Sequence, residues 1–415
     1  MPGRVAVLGT FDTKGAELLH IAQCLHKLDL DVALIDISCL EHAARFKPDY
    51  SPVDVAAAAG ADFKVLSRLP RVEAAPLMSA GAARILHKLV DDGSIQACLG
   101  IGGANGTSMG VAAMEKLPLG VPKAIISVIA AVDARWLVSH TDIVLFNAIG
   151  DAVLNPLLEA IIERAALAIS GMTVKPDPIT LPAMVGLSVL GVTDQCVEYC
   201  RELLTAKRYP SLLLHSNGPG GATLEKMVDQ GYFWAVLDIT TNELLNHILG
   251  GVFDAGPHRL DAAIDKELPL VVSTGAIDFV NFWGSRIPDE YRRKRMFMRH
   301  STVNTLMRTD AMENEQLAVA MAAKLNRARV PVRVVIPARG FSKYDREGGA
   351  TGTDLDGNPV GPWYSPAANS AFIAALQGSL QNPLVAVEVV DRHINEPQFA
   401  RALVDALEAV SGSRQ

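Results

Sequence analysis

The chain is poor in the features that mark secreted, membrane and nucleic-acid-binding proteins. Cysteine occurs five times, at Cys24, Cys39, Cys98, Cys196 and Cys200. The count is odd and no two form a CxxC pair, which argues against a disulfide scaffold and against a zinc ribbon. Cys196 and Cys200 stand at i, i+4, half of a metal site, but no histidine pair lies near them to complete it. Buried thiols in a reducing cytoplasm are the expectation, and no metal site is read from the sequence. No uninterrupted apolar run reaches the roughly 18 residues of a membrane helix, so no membrane partner is expected. The opening run Val5-Ala6-Val7-Leu8 is too short for a signal-peptide core and reads as a strand. Basic excess is also missing. The net charge is −7, and an acidic surface repels phosphodiester backbones, so no nucleic-acid partner is expected either.

What is present is material for two cores. Hydrophobic residues make up 49% of the 415-residue chain and charged residues 20%. Strand-like and helix-like segments alternate throughout: Arg4–Gly9, Asp31–Ile37, Ile95–Ile101 and Pro122–Val128 read as strands. Lys14–Leu28, Ser79–Asp92, Gly106–Lys116 and Asn155–Met172 read as helices, and Ser51-Pro52 opens a short one. Lys175–Pro182 holds three prolines and marks a boundary. The expected domains are 1–178 and 183–415. After the boundary the pattern restarts, with strands at Ala183–Leu190, Ser211–His215, Trp234–Leu237, Leu268–Ser273 and Val332–Ile336. The fold class is α/β, with two Rossmann-like parallel-sheet subdomains covered on both faces. Val7–Asp12 and Val189–Asp194 each head a helix and then a strand, as an internal duplication would give.

The strongest local signal is Gly100-Ile101-Gly102-Gly103-Ala104-Asn105-Gly106-Thr107-Ser108, which leaves a strand and enters a helix. Glycines let backbone approach a phosphate and take positive φ, and free amides at a helix start attract an anion. The lysine of a Walker A loop is missing, and the string is not a first-turn GxGxxG. It is similar to the GGDGT-type loops of NAD kinases and phosphofructokinases, with Asn105 in place of the aspartate. The plain alternative is a tight turn without ligand. Gly9-Thr10-Phe11-Asp12-Thr13-Lys14-Gly15 follows the first strand, at the sheet edge where ligands sit. Thr10 and Thr13 supply hydroxyls, Lys14 a cation, and Asp12 a group to hold a metal or orient Lys14; the ordinary alternative is that Asp12 and Thr13 only cap the following helix. Asp36 ends the second strand, in a position to meet a ribose.

In the second half, Asn217–Gly221 is another candidate anion cradle. Asp238, Glu243, Asp278 and His300 are candidate acid–base residues, each with helix capping or ion pairing as its ordinary alternative. Tyr291–His300 is rich in arginine and suits an acidic ligand, a partner subunit or a solvated face. The glycine-rich segment Arg339–Tyr364 reads as a long functional loop.

With these residues in view, the chain resembles the Tm-1-like ATP-binding domain family, named for a tobamovirus-resistance protein of tomato. The match rests on Gly9–Gly15, Gly102–Thr107, Leu237–Leu244, Gly250-Gly251 and Gly275–Asp278. It continues through Arg299-His300, Ile336–Ser342 and Tyr364–Asn369. The chain departs from the pattern at Val128–Asp133 and Val153-Leu154-Asn155. The resemblance implies two α/β subdomains, ATP bound by the first, and a homodimer; magnesium is a candidate companion ion for the nucleotide. Two functions follow. One is an enzyme that acts on or senses a phosphorylated small molecule in the interdomain cleft. The other is a nucleotide-dependent protein-binding or regulatory module without turnover.

Overall fold

The structure, a computed structural model, describes residues 4–42, 46–131, 134–138, 141–150, 153–174, 182–292 and 295–412. Contacts divide the chain into two compact units, Met1–Ile179 and Thr180–Gln415. Most of the proline-rich stretch read as the boundary, residues 175–181, lies outside the described residues, as do Val132 and Asp133 of the departing segment.

Among the described residues, unit 1 holds strands β1 (Arg4–Gly9), β2 (Asp31–Asp36), β3 (Ala97–Gly102), β4 (Lys123–Ser127) and β5 (Val144–Asn147). Its helices are α1 (Phe11–His26), α2 (Pro52–Ala58), α3 (Phe63–Leu66), α4 (Arg71–Asp91), α5 (Ala104–Met114), α6 (Arg135–Val138) and α7 (Pro156–Thr173). The strands form one parallel sheet in the order β2-β1-β3-β4-β5. Successive side chains of β1 point to opposite faces. Ala6 and Leu8 join the core under α4 and α5, with Met78, Leu86 and Met109. Val5 and Val7 join the core under α1 and α7, with Leu18, Ile21 and Ile162. Both faces are covered, so the strand reads as a continuous apolar run rather than an alternating one.

Helix α4 starts eight residues before the expected Ser79, at Arg71, and carries Pro76 inside. Ala74 and Met78 are buried on that extension, and their packing outweighs the local break at proline. Helix α2 has the serine cap expected of Ser51-Pro52: Ser51 and Asp54 form a reciprocal capping box.

Unit 2 contains, in chain order among the described residues, β6 (Met184–Val189), α8 (Asp194–Ala206), β7 (Ser211–His215), α9 (Pro219–Asp229), β8 (Phe233–Thr240), α10 (Asn242–Leu249), α11 (Asp261–Asp265) and β9 (Leu270–Gly275). Then come β10 (Phe279–Trp283), β11 (Phe297–Arg299), β12 (Asn304–Arg308), α12 (Ala311–Leu325), β13 (Val332–Pro337), β14 (Thr351–Thr353), β15 (Pro359–Pro362), α13 (Pro366–Ser379), β16 (Val385–Val390) and α14 (Pro397–Ser411). A parallel sheet runs β16-β13-β9-β8-β6-β7. Counted from the first strand of its own sheet, each unit has the order 2-1-3-4-5, the flavodoxin-like arrangement, and unit 2 adds a sixth strand. This shared order is what a duplicated α/β unit produces.

The expectation of parallel sheets alone is corrected by a second sheet in unit 2. Strands β10-β12-β11-β14-β15 pair antiparallel. They are three to five residues long and set among arginines and glycines, so they carry little periodicity to read. The segment Arg339–Tyr364, expected as a loop, contains the β14–β15 hairpin.

Candidate functional site

In a sheet of order 2-1-3-4-5 the connections leave β1 and β3 toward opposite faces, and a crevice opens between their carboxyl ends. Unit 1 has a cavity of about 260 Å³ there. The turn after β1 supplies Thr10, Asp12, Thr13 and Lys14 to its wall. The turn after β3 supplies Gly103, Asn105 and Gly106. The two glycine-bearing segments singled out in the sequence therefore meet at one sheet edge.

The two helix starts at this edge differ. At α1 the amide of Phe11 donates to Asp36 Oδ1 at 3.3 Å and that of Asp12 to Ser38 Oγ at 3.3 Å. That end is satisfied from within. At α5, Gly103 caps without a side chain, and the first amide to find a helical acceptor is Thr107, which bonds the Gly103 carbonyl at 2.8 Å. The amides of Ala104, Asn105 and Gly106 have no acceptor among the described residues. Three open donors at a helix start suit an anion in both charge and geometry.

The glycines act differently from expectation. Gly103 has φ −70°, not a positive φ. A Cβ there would meet no atom within 4 Å, so the position opens onto the cavity. Gly102 is the glycine that packing requires: a Cβ would collide with the Thr107 amide and the Gly106 backbone.

Other predicted residues turn inward. Asp36 is fully buried, accepts from the Ser38 amide at 2.9 Å and Oγ at 2.5 Å, and props the β1 turn from beneath; burial pushes its carboxyl above the ordinary value. Thr107 is fully buried, and its hydroxyl lies 2.8 Å from Ser127 Oγ. The sequence reading missed three wall residues: Cys39, Arg71 and Met109. Arg71 adds a cation beside Lys14, but it opens α4, far along the chain from both the Gly9–Gly15 and the Gly100–Ser108 loops, so no local pattern flags it. Asp12 Oδ1 is buried and has no hydrogen-bond partner among the described residues.

In unit 2 the second glycine loop is already filled. Glu243 Oε1 accepts from the amides of Gly218 at 2.7 Å and Gly221 at 3.0 Å, at the start of α9. A Cβ on Gly221 would collide with that carboxylate. Asn217–Gly221 is therefore a cradle for the chain's own anion, which corrects its reading as a site for an external one. Glu243 Oε2 accepts from Arg259 Nε at 2.7 Å. Arg259 is fully buried and also reaches Asp238 at 2.5 and 2.7 Å and Glu225 at 3.3 Å. Burial pushes Glu243 up to about 7, against the pull of Arg259 and the amides. Asp238 and Glu243 thus form one enclosed ionic network with no exposed oxygen surface.

Asp278 belongs to another network. It is fully buried, and its Oδ2 accepts from Ser342 Oγ and Trp363 Nε1, each at 2.8 Å. Burial, with Asp345 nearby, pushes it up to about 6. His300 is exposed, with Nδ1 3.0 Å from the Tyr344 hydroxyl. In the basic stretch, Arg295 is committed to Glu313 at 2.6 and 2.8 Å and Arg292 to Asp289 at 3.1 Å; Arg293 and Lys294 lie outside the described residues.

Comparison with known proteins decides the family. Residues 3–178 match the model of the uncharacterised protein family UPF0261, N-terminal domain, and residues 182–411 match its C-terminal domain. The chain belongs to the UPF0261 family. A UPF0261 protein of Clostridium tetani is 32% identical over 98% of each chain. One of Rhizobium meliloti is 36% identical over 97% of this chain and 98% of that one. The ToMV resistance protein Tm-1 of Solanum lycopersicum is 32% identical over 98% of this chain, which spans 56% of the tomato protein. The UPF0261 chain is thus also Tm-1-like. Among solved structures, a putative UDP-N-acetylglucosamine 2-epimerase of Listeria monocytogenes covers 66% of this chain and 80% of its own, at 9% identity and a TM-score of 0.23. A UDP-GlcNAc 2-epimerase of Methanocaldococcus jannaschii, in complex with UDP-GlcNAc and UDP, covers 66% and 83%, at 10% identity and a TM-score of 0.21. At these scores the sugar-nucleotide ligand stays a property of those proteins. No described helix is long and apolar enough to cross a membrane.

Proposed function

We propose that unit 1 binds a phosphorylated nucleotide, ATP, with its phosphates at the start of α5. The observation that carries this reading is the set of three open amides, Ala104, Asn105 and Gly106, on a cavity whose wall also holds Lys14 and Arg71. A volume of about 260 Å³ suits the phosphate end and leaves the base to extend outward. Asp12 lines the same cavity with a buried, unpartnered oxygen. An oxygen donor beside phosphate oxygens is the usual setting for magnesium, so Asp12 is the residue that would hold it. The homodimer implied by the resemblance belongs to this proposal, and light scattering at micromolar concentration tests it.

The test is calorimetric titration with ATP, ADP and AMP, with and without magnesium, beside melting curves. Ligand at about one hundred times its dissociation constant adds about 2.7 kcal/mol to stability. If all three nucleotides leave both readouts flat, the reading falls.

A second reading, a nucleotide-dependent module without turnover, is favoured by one observation. Asp238, Glu243 and Asp278 are fully buried and held in internal networks, so none is presented to a substrate in this conformation. Release of ADP or phosphate from ATP over hours, measured on the purified chain, separates the two.

A further inference from the structure

Unit 2 has a cavity of about 860 Å³ that the nucleotide reading does not use. Its wall comes from segments that follow three parallel strands: Gln195 after β6, Lys343 and Arg346 after β13, and His393 and Asn395 after β16. All three segments lie at carboxyl ends, the edge where open α/β sheets take ligands. The volume lies within the range of roughly 300–1,000 Å³ typical of small-molecule sites.

The wall carries uncompensated positive charge. Arg339 is matched by Asp391 through two bonds of 2.8 Å. Glu396 accepts from the His393 amide at 2.7 Å and lies 3.7 Å from Arg392. His393 itself is held toward its neutral form by burial. Lys343 Nζ is 3.4 Å from the Gly191 carbonyl and 5.1 Å from the Tyr344 ring centre, and neither is an anion. No ion pair of Lys343 or Arg346 with a carboxylate occurs among the described residues, and Glu347 is the one wall acid not already engaged by a cation or an amide.

The backbone that carries the cations is held in place. Asp345, between them, is fully buried and accepts from the Phe341 amide at 3.0 Å, Asn369 Nδ2 at 2.8 Å and Arg308 at 3.0 Å. Ser342 bonds Asp278, and the Lys343 amide bonds the Val192 carbonyl at 3.0 Å. The hydroxyl of Tyr344, another wall residue, is held by His300. Charged side chains that stand on a held backbone have only their own rotamers to order on binding.

We propose that this cavity is a second ligand site, separate from the α5 site, for a small organic anion whose phosphate or carboxylate group is held by Lys343 and Arg346. Tyr344 and Tyr364 supply hydroxyls along its wall. The proposal stands independently of nucleotide binding in unit 1.

The test uses the full chain carrying Gly103→Val, so that the first site is closed, titrated calorimetrically with pyrophosphate and, separately, with citrate. One of the two binds at one per chain, and Lys343→Ala with Arg346→Ala weakens it by about tenfold or more. The melting temperature of that double variant stays within about 2 °C, because both side chains are outside the core. Pyrophosphate alone binding assigns a phosphate ester, and citrate alone assigns a carboxylate. Arg346→Lys, which keeps the charge, retains most of the affinity and serves if the double variant does not fold; Arg346→Glu in the same background abolishes it. No heat from either anion at millimolar concentration, or affinity unchanged by the charge reversal, overturns the proposal.

Discussion

The carboxylate of Glu243 receives the Gly218 amide at 2.7 Å, so a helix start that would attract a phosphate is occupied by the chain's own side chain. Glu243→Ala removes that occupant and leaves Arg259 short of one partner. Breaking a buried charge pair costs about 3–5 kcal/mol. Chemical denaturation should read a loss of that order, and formate or acetate should restore part of it by entering the vacated cradle. A loss that neither anion relieves would mean that the network, not the cradle, sets the cost.

Neighbouring glycines should respond in opposite ways. Gly103→Val abolishes nucleotide binding with little change in melting temperature, because its side chain enters open cavity space. Gly102→Ala lowers stability instead, because its Cβ meets the Thr107 amide. Titration and melting of the two variants side by side check this. Full affinity in a folded Gly103→Val chain would remove the α5 site.

Asp12→Asn keeps the shape of the wall and removes a charge. The extra stabilisation that magnesium gives over ATP alone should shrink, while binding of metal-free nucleotide holds or tightens slightly. Melting curves with ATP plus a chelator, and with ATP plus magnesium, supply the comparison.

Asp278 should make stability depend on pH in an unusual direction. Its folded pKa, about 6, lies above the ordinary 3.8, so the native state binds the proton more tightly than the unfolded chain. The contribution is fully present below about pH 4 and is lost as pH rises through about 6, up to about 3 kcal/mol. Exposed carboxylates whose pKa is lowered, such as Asp391 beside Arg339, slope the other way, and buried Glu243 slopes the same way, so the comparison is a difference: Asp278→Asn against the parent chain between pH 4 and 7. Parallel curves would refute the shifted carboxyl.

Unit 1 was largely legible because β1 and β3 are apolar runs closed by glycine and its helices carry caps such as Ser51 and Asn155. The pairing of the Thr10 and Gly103 turns followed from topology alone. What sequence does not show is direction. Thr107 and Asp36 look like ligand residues, yet Ser127 and Ser38 take their polar groups inward. Arg71 reaches the same cavity only through the tertiary packing of α4. The antiparallel sheet of unit 2 escaped because a strand as short as Phe297–Arg299 carries no readable alternation, and one of its two partners, β14, is distant in sequence.

The thiol of Cys39 gives the first cavity a native footprinting probe. It is 5% exposed and part of the cavity wall, and burial raises its pKa against the opposing pull of Arg71. Alkylation should therefore be slow in the resting chain and slower still with a ligand seated, so mass spectrometry of iodoacetamide labelling at this one position reads occupancy without any engineered tag.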